Sequence, residues 1–207
     1  MAKAKEVQTI VIPPLKLKRI ELDIIGDTPL LCHAWSGKAK KEMLDKQMKK
    51  AKQGKDPKDP VADYRSSLYW LDDANEFIEP KNVDPAKHQL FGFKTIAFKA
   101  AAVRAANDVG LQMTFTRRAF HVLGDYVKLE FDKVIMREDP VRLNGTSTDL
   151  RYRGEFHGWK ATLPIKYNAS IIEPAQLVNL LNTSGFGVGI GEWRPERNGS
   201  HGCFHVG

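Results

Sequence analysis

Three stretches of this chain have residue types and spacings suited to gripping a phosphate backbone and its bases. Residues 185–206, GFGVGIGEWRPERNGSHGCFHV, set Gly187, Gly189, Gly191 and Gly199 around Trp193, Arg194 and Arg197. Glycine gives up packing and loses the most backbone entropy on folding, so the cluster implies positive φ angles or close approach of another backbone. Turn amides left open in this way form an anion-binding concavity. Arg194 and Arg197 would then pair with phosphate, and Trp193 would stack on a base, worth roughly 1–3 kcal/mol per base. The competing reading is a set of tight turns returning the chain to a sheet, with Trp193 in the core.

The second stretch groups Arg137, Arg142, Arg151, Arg153 and Lys160 with Tyr152, Phe156 and Trp159. Cations mixed with aromatics suit a groove that tracks a single strand and offers stacking platforms. Glu138, Asp139 and Asp149 dilute the charge, and a solvated surface is the alternative. The third is the lysine run KAKKEMLDKQMKKAKQGKDPKDP, with Lys38, Lys40, Lys41, Lys49, Lys50, Lys52 and Lys55. It is either a projecting element that holds phosphates as point charges or a solvated insertion. Its apolar stripe, Met43, Leu44 and Met48, is too narrow to bury a helix well.

His33 is a weak candidate for a general base, because no acid partner is evident beside it. Cys32, His33, His201, Cys203 and His205 invite a metal reading, but H-x-C-x-H is not a usual zinc spacing, and no metal is expected. There is no Walker loop or nucleophile elbow, and GFGVGIG follows a helix rather than a strand, so no cofactor is expected.

The elements that must carry these residues follow from pattern. Residues 17–25 alternate, with Ile20, Leu22 and Ile24 on one face, as in a half-buried strand. An extended arm precedes it over residues 1–14, and a second short extended piece follows at 28–31. Gly54, Pro57 and Pro60 are expected to end the lysine helix, and Asp72 to Asn75 to turn a hairpin. The alanine-rich run TIAFKAAAVRAAND reads as a core helix with Thr95 as N-cap and Gly110 as stop. Residues 115–122 and 126–134 read as a hairpin around Gly124-Asp125, and 135–153 as an exposed basic excursion turning at Asn144-Gly145. Residues 160–169 alternate again, with Pro164 suggesting an edge or a bulge. A helix over 174–182 precedes the glycine loop and a last short strand.

The core order strand, helix, hairpin, strand, helix, strand is an α+β arrangement close to the βαββαβ pattern of ferredoxin-like and RNA-recognition folds. The expectation is one domain over residues 1–207, with insertions at about 36–65 and about 135–159. A chain of 207 residues with 42% hydrophobic residues can bury one sizeable core. The 32 Lys and Arg against 25 Asp and Glu give +7, which raises the odds of a polyanionic partner. Two cysteines make no disulfide framework, the N-terminal residues lack a signal-peptide core, and no run approaches the roughly 20 apolar residues of a spanning helix. A cytoplasmic protein with no membrane partner is expected.

Three motifs in order resemble the RAMP superfamily, the RNA-recognition-fold proteins of CRISPR effector complexes. GDTPLL resembles the turn that closes the first strand of that superfamily. FGFKTIAFKAAAVRAA is similar to its first helix, with Arg104 as the basic residue. GFGVGIGEWRPERNGSHGCFHV resembles its C-terminal glycine-rich loop. The two basic insertions resemble extra elements of backbone subunits that polymerise along guide RNA. MREDPVRLNGTSTDLRYRGEFHGW resembles small phage-encoded proteins, so a stand-alone phage or mobile-element relative is expected. The resemblance implies a non-enzymatic protein that binds single-stranded RNA, or else DNA, and self-associates along the strand. The alternatives it leaves are a decoy that docks on CRISPR effector subunits, a single-strand DNA-binding or annealing protein of phage recombination, and a metal-independent ribonuclease using His33. Backbone subunits that cut target RNA use an aspartate after the first strand; Asp45, Asp56 and Asp59 lie there, and no match singles one out.

Overall fold

The computed structural model describes residues 12, 14–51, 57–143 and 147–207. Most of the N-terminal arm, Lys52, Lys55, Asp56 and the Asn144-Gly145 turn lie outside the described residues. Strand β1, Leu17–Gly26, buries Leu22 and Ile24 and turns Glu21 and Asp23 outward, as its alternation requires. After a turn, Leu30–Cys32 (β2) is buried at all three positions.

The lysine run begins as helix α1, Gly37–Gln47, where Ser36 Oγ accepts from Ala39 N at 3.1 Å. α1 buries no residue, and Met43, Leu44 and Met48 are 45%, 54% and 58% exposed. Pro60, expected to stop a helix, opens one instead, α2 (Pro60–Ser67). Asp59 Oδ1 accepts from Val61 N and Ala62 N at 3.0 Å, and the missing proline N–H would have no intrahelical partner in a first turn. β3, Tyr69–Trp70, leads into the expected tight turn: Asp72 Oδ1 accepts from Ala74 N and Glu76 N, and Leu71 bridges Phe77.

β4, Phe91–Lys94, pairs with β3 and runs straight into α3, Thr95–Ala105. Gly110 closes the turn after α3 at φ 74° as expected, but Thr95 is not the N-cap. Its hydroxyl donates to the carbonyls of Gly124 and Asp125, and its amide to Asp125 O at 3.1 Å. Those bonds explain why the expected hairpin at Gly124-Asp125 does not form. The segment before it is a helix, α4 (Met113–Ala119), and a short strand, β5 (Phe120–Val122); after it comes β6 (Tyr126–Lys128). With the turn tied to the start of α3, β6 pairs with β4 and leaves β5 in another sheet.

The expected basic excursion is instead a regular hairpin of two 11-residue strands, β7 (Lys133–Leu143) and β8 (Ser147–His157). Its period-two pattern is disguised because one face carries Arg137 and Asp139 opposite Arg153 and Arg151. β9, Lys160–Asn168, is an inner strand between β1 and β5. Pro164 is tolerated there because its carbonyl accepts from Leu123 N, on the side where β5 has already ended at Val122, so its missing donor leaves no ladder bond unmade. α5, Pro174–Gly187, starts with a Glu173/Gln176 capping box and runs past residue 182 through Gly185. β10, Phe204–Val206, ends the chain.

The protein is α+β, with antiparallel sheets and five α-helices among the described residues. One sheet has the order β10-β1-β9-β5, the second β2-β8-β7 and the third β3-β4-β6. All three feed one apolar cluster, in which Phe98, Phe120, Phe156, Trp159 and Phe204 are fully buried or nearly so. Trp159 Nε1 donates to Thr28 O at 2.8 Å, which satisfies its buried N–H. No helix among the described residues is long and apolar enough to cross a membrane.

Candidate nucleic-acid interface

The glycine loop is folded on itself. Gly189, Gly191 and Gly202 have φ of 67°, 78° and 67°. A Cβ on Gly191 would lie 2.6 Å from Leu31 O, and one on Gly199 1.7 Å from Trp193 O. The close backbone that these glycines admit is therefore the chain's own. Amides that could have formed an anion concavity donate internally: Gly189 N to Ser184 O, Glu192 N to Leu31 O, Gly199 N to Arg194 O and His201 N to Trp193 O. Arg194 donates to Gly191 O and Glu196 Oε2, and Arg104 pairs with Glu196. Gly187 lies in α5; Arg197 and Trp193 are exposed, the latter by 40%.

Beneath this loop, charged side chains from β7, β8 and the loop form a buried network. Arg153, Asp139 and Glu155 are only 4%, 5% and 7% exposed, a burial that charged groups tolerate when paired. Arg137 donates to Asp139 Oδ1 at 2.8 Å and to Glu155 Oε2 at 3.0 Å. Arg153 Nη1 lies 3.4 Å from Asp139 Oδ2, and Nη2 4.0 Å from Glu192 Oε2. His157 Nε2 is 3.0 Å from Glu155 Oε1. Arg153, expected on the surface, is thus internal, and Phe156 and Trp159 belong to the core rather than to a stacking platform.

His201 Nε2 accepts from Arg137 Nη1 at 3.1 Å, which requires the neutral imidazole. Burial, then the Arg137 charge, holds its pKa below the ordinary 6.5. His121 is shifted the same way by burial, then by Lys99 and Lys166. The unfolded chain therefore binds more protons as pH falls toward and below 6.5, and stability falls with it. The urea midpoint is expected to drop between about pH 7.5 and about pH 5.5, and a His121→Gln, His201→Gln double variant to drop less.

Between α1, α2 and β8 opens a cleft of about 570 Å³, within the range that ligands occupy. Trp35, 61% exposed, and Met43 supply apolar surface; Lys46, Lys58 and Arg151 supply positive charge. Lys58 Nζ donates to Asp149 Oδ1 at 2.6 Å and to the Leu150 carbonyl, and sits 5.9 Å over the Tyr152 ring. Arg151 Nε donates to Asp149 Oδ2 at 3.1 Å. Lys58, then Arg151, keeps the Asp149 carboxyl below its ordinary pKa. His33 joins cleft and network, with Nε2 3.5 Å from Arg151 Nη1 and Nδ1 3.6 Å from Glu192 Oε1. The three cations of the lining are matched by Glu42, Asp63 and Asp149. Unmatched positive charge lies outside it, on exposed Lys41 and Lys49; Lys50 pairs with Asp45, and Lys40 stands 3.7 Å from Glu79.

The structure brings Arg151 and Tyr152 to this cleft, beside Lys46 and Lys58. Lys160 lines a different cleft, with Asp23, Glu130 and Thr162, and Arg142 is exposed on β7. The alternation of β1 and β9 turns Arg19, Glu21, Asp23, Thr162 and Lys166 to the open side of the four-stranded sheet, with no Phe, Tyr or Trp among them. Trp35, Lys46, Lys58 and Asp63 were not singled out by sequence. The available signal was a tryptophan two residues after His33 and just past a buried strand. Cys32 is fully buried, and His205 pairs with Asp27 at 2.6 Å; among the described residues no group of three or more His, Cys, Asp and Glu gathers around a metal-sized space. In comparisons with known proteins, no family model matches the chain and no curated protein matches it significantly.

Proposed function

We propose that this protein is a non-enzymatic binder of single-stranded nucleic acid, RNA ahead of DNA, that self-associates along the strand. The observation that carries this reading is the cleft in which exposed Trp35 stands beside Lys46, Lys58 and Arg151. A base stacked on Trp35 would leave its phosphates near these cations and the α1 lysines, the sequence-tolerant mode of single-strand binding. β1 and β9 present no aromatic of their own on the open side, where RNA-recognition sheets stack bases; Tyr126 lines the cleft beside that side but is partly buried, so the more exposed Trp35 is favoured as the platform.

The order β10-β1-β9-β5, with α3 before β5 and α5 before β10, is the one a βαββαβ chain would take, which supports a ferredoxin-like core. α1 and α2 then form an insertion after the first core strand, and β7–β8 one between the middle strands. That placement agrees with the RAMP resemblance and with a backbone subunit's extra elements.

The test is fluorescence anisotropy with labelled single strands of about 12 nucleotides. Trp35→Ala is expected to weaken binding by about 5- to 150-fold, the loss of one stacked base. Lys41→Glu with Lys49→Glu is expected to reduce the slope of log affinity against log salt by about 1.4, two phosphate contacts on a single strand. Arg151→Glu reports on the cleft alone; Arg153 is unsuitable because it is buried. Wild-type affinity in all three variants would end this reading.

A further inference from the structure

Asp63 on α2 and Glu42 on α1 both line the cleft, and their carboxylates have no hydrogen-bond or ion-pair partner among the described residues. Asp149 differs, being taken up by Lys58 and Arg151. Asp63 is half-buried and close enough to the Tyr152 phenol to help raise its pKa, after the larger effects of Glu138 and burial. A carboxylate in this setting can only accept hydrogen bonds. Whatever rests on Trp35 thus shares the cleft with two acceptors to which no described residue donates.

From this we infer that the cleft selects a base bearing an exocyclic amino group and rejects uracil or thymine. The inference rests on the single-strand reading and gives it a base preference. Cytosine turns its N4 amino donor toward a carboxylate; adenine and guanine have N6 and N2 amino groups that can do the same. Uracil and thymine present O4, an acceptor, at the position where cytosine presents N4, and their one donor on that edge, N3–H, lies between two carbonyl acceptors that a carboxylate would crowd. Set against a carboxylate, O4 leaves two acceptors facing each other. Phosphate grip and base choice are then divided between α1's outward lysines and the charge-balanced cleft.

Labelled cytidine and uridine homo-oligomers of about 12 nucleotides, compared at pH about 7.5, separate the possibilities, since the two bases differ only on the edge that would be read. The expected result is cytidine tighter by about tenfold, with Asp63→Asn and Glu42→Gln bringing the ratio toward one, because an amide donates as well as accepts. Matching thermal melts confirm that the variants are folded. Equal affinities, a uridine preference, or an unchanged ratio in both variants would overturn the base preference and leave single-strand binding standing. Binding of neither oligomer would overturn both.

Discussion

Asp139→Ala is expected to lower the stability of this protein by about 3–5 kcal/mol, the cost of stranding a buried charge. Arg153 is 4% exposed, and its close contact is Asp139 at 3.4 Å; Glu192 is farther, at 4.0 Å. Removing the carboxylate leaves a guanidinium that can neither reach water nor lose its proton. Arg137 loses its 2.8 Å bond too but keeps Glu155. The loss is therefore centred on Arg153. Urea denaturation measures it, and an Asp139→Leu, Arg153→Met double variant, which removes both charges, should recover most of the stability. A single-variant loss below about 1 kcal/mol would mean that the pair behaves as a solvated surface pair.

Gly185→Ala should destabilise by about 3 kcal/mol, at the upper end of overpacking costs, although alanine is favoured over glycine inside a helix by about 1 kcal/mol. Its Cβ would fall 1.8 Å from Phe204 O and 2.7 Å from Phe204 C. The obstacle is backbone rather than a flexible side-chain tip, so α5 and β10 would have to separate. Gly187→Ala, two residues on in the same helix, would meet nothing nearer than Asp108 Oδ2 at 3.9 Å. That substitution should be neutral or stabilising by up to about 1 kcal/mol. Thermal melts of the two variants should therefore move apart, and equal shifts would refute the packing argument.

Elements whose patterns serve one purpose were legible in the sequence. Residues 17–25 alternate because one face is buried, α5 begins at Pro174 because its first turn needs no donor there, and Gly110 closes a turn at positive φ. Misreadings occur where two causes give the same residues. Charged residues on β7 and β8 read as solvent-exposed, yet Asp139 and Arg153 are buried, paired diagonally on one face of the hairpin where Glu192 of the glycine loop also reaches Arg153. The loop glycines signalled close backbone approach, but sequence cannot tell an outside phosphate from Leu31 O or Trp193 O. The Gly124-Asp125 turn was visible, while its capture by Thr95 depends on a contact 30 residues away. The cleft was illegible for the same reason: Trp35, Lys58 and Arg151 are distant in sequence, and only folding gathers them.

α1 carries a consequence for binding thermodynamics. Its 11 residues bury nothing, and isolated helices shorter than about 12–15 residues are marginal in water. Its folded and frayed forms are therefore expected to lie close in free energy, and its amides to exchange with solvent through local opening rather than global unfolding. A strand that fixed the lysines of α1 would also have to fix the helix, offsetting part of the electrostatic gain with lost conformational entropy. Affinity at this surface is then governed by how much of the helix already exists before the strand arrives, and a single alanine-rich turn would tune it without touching a charge.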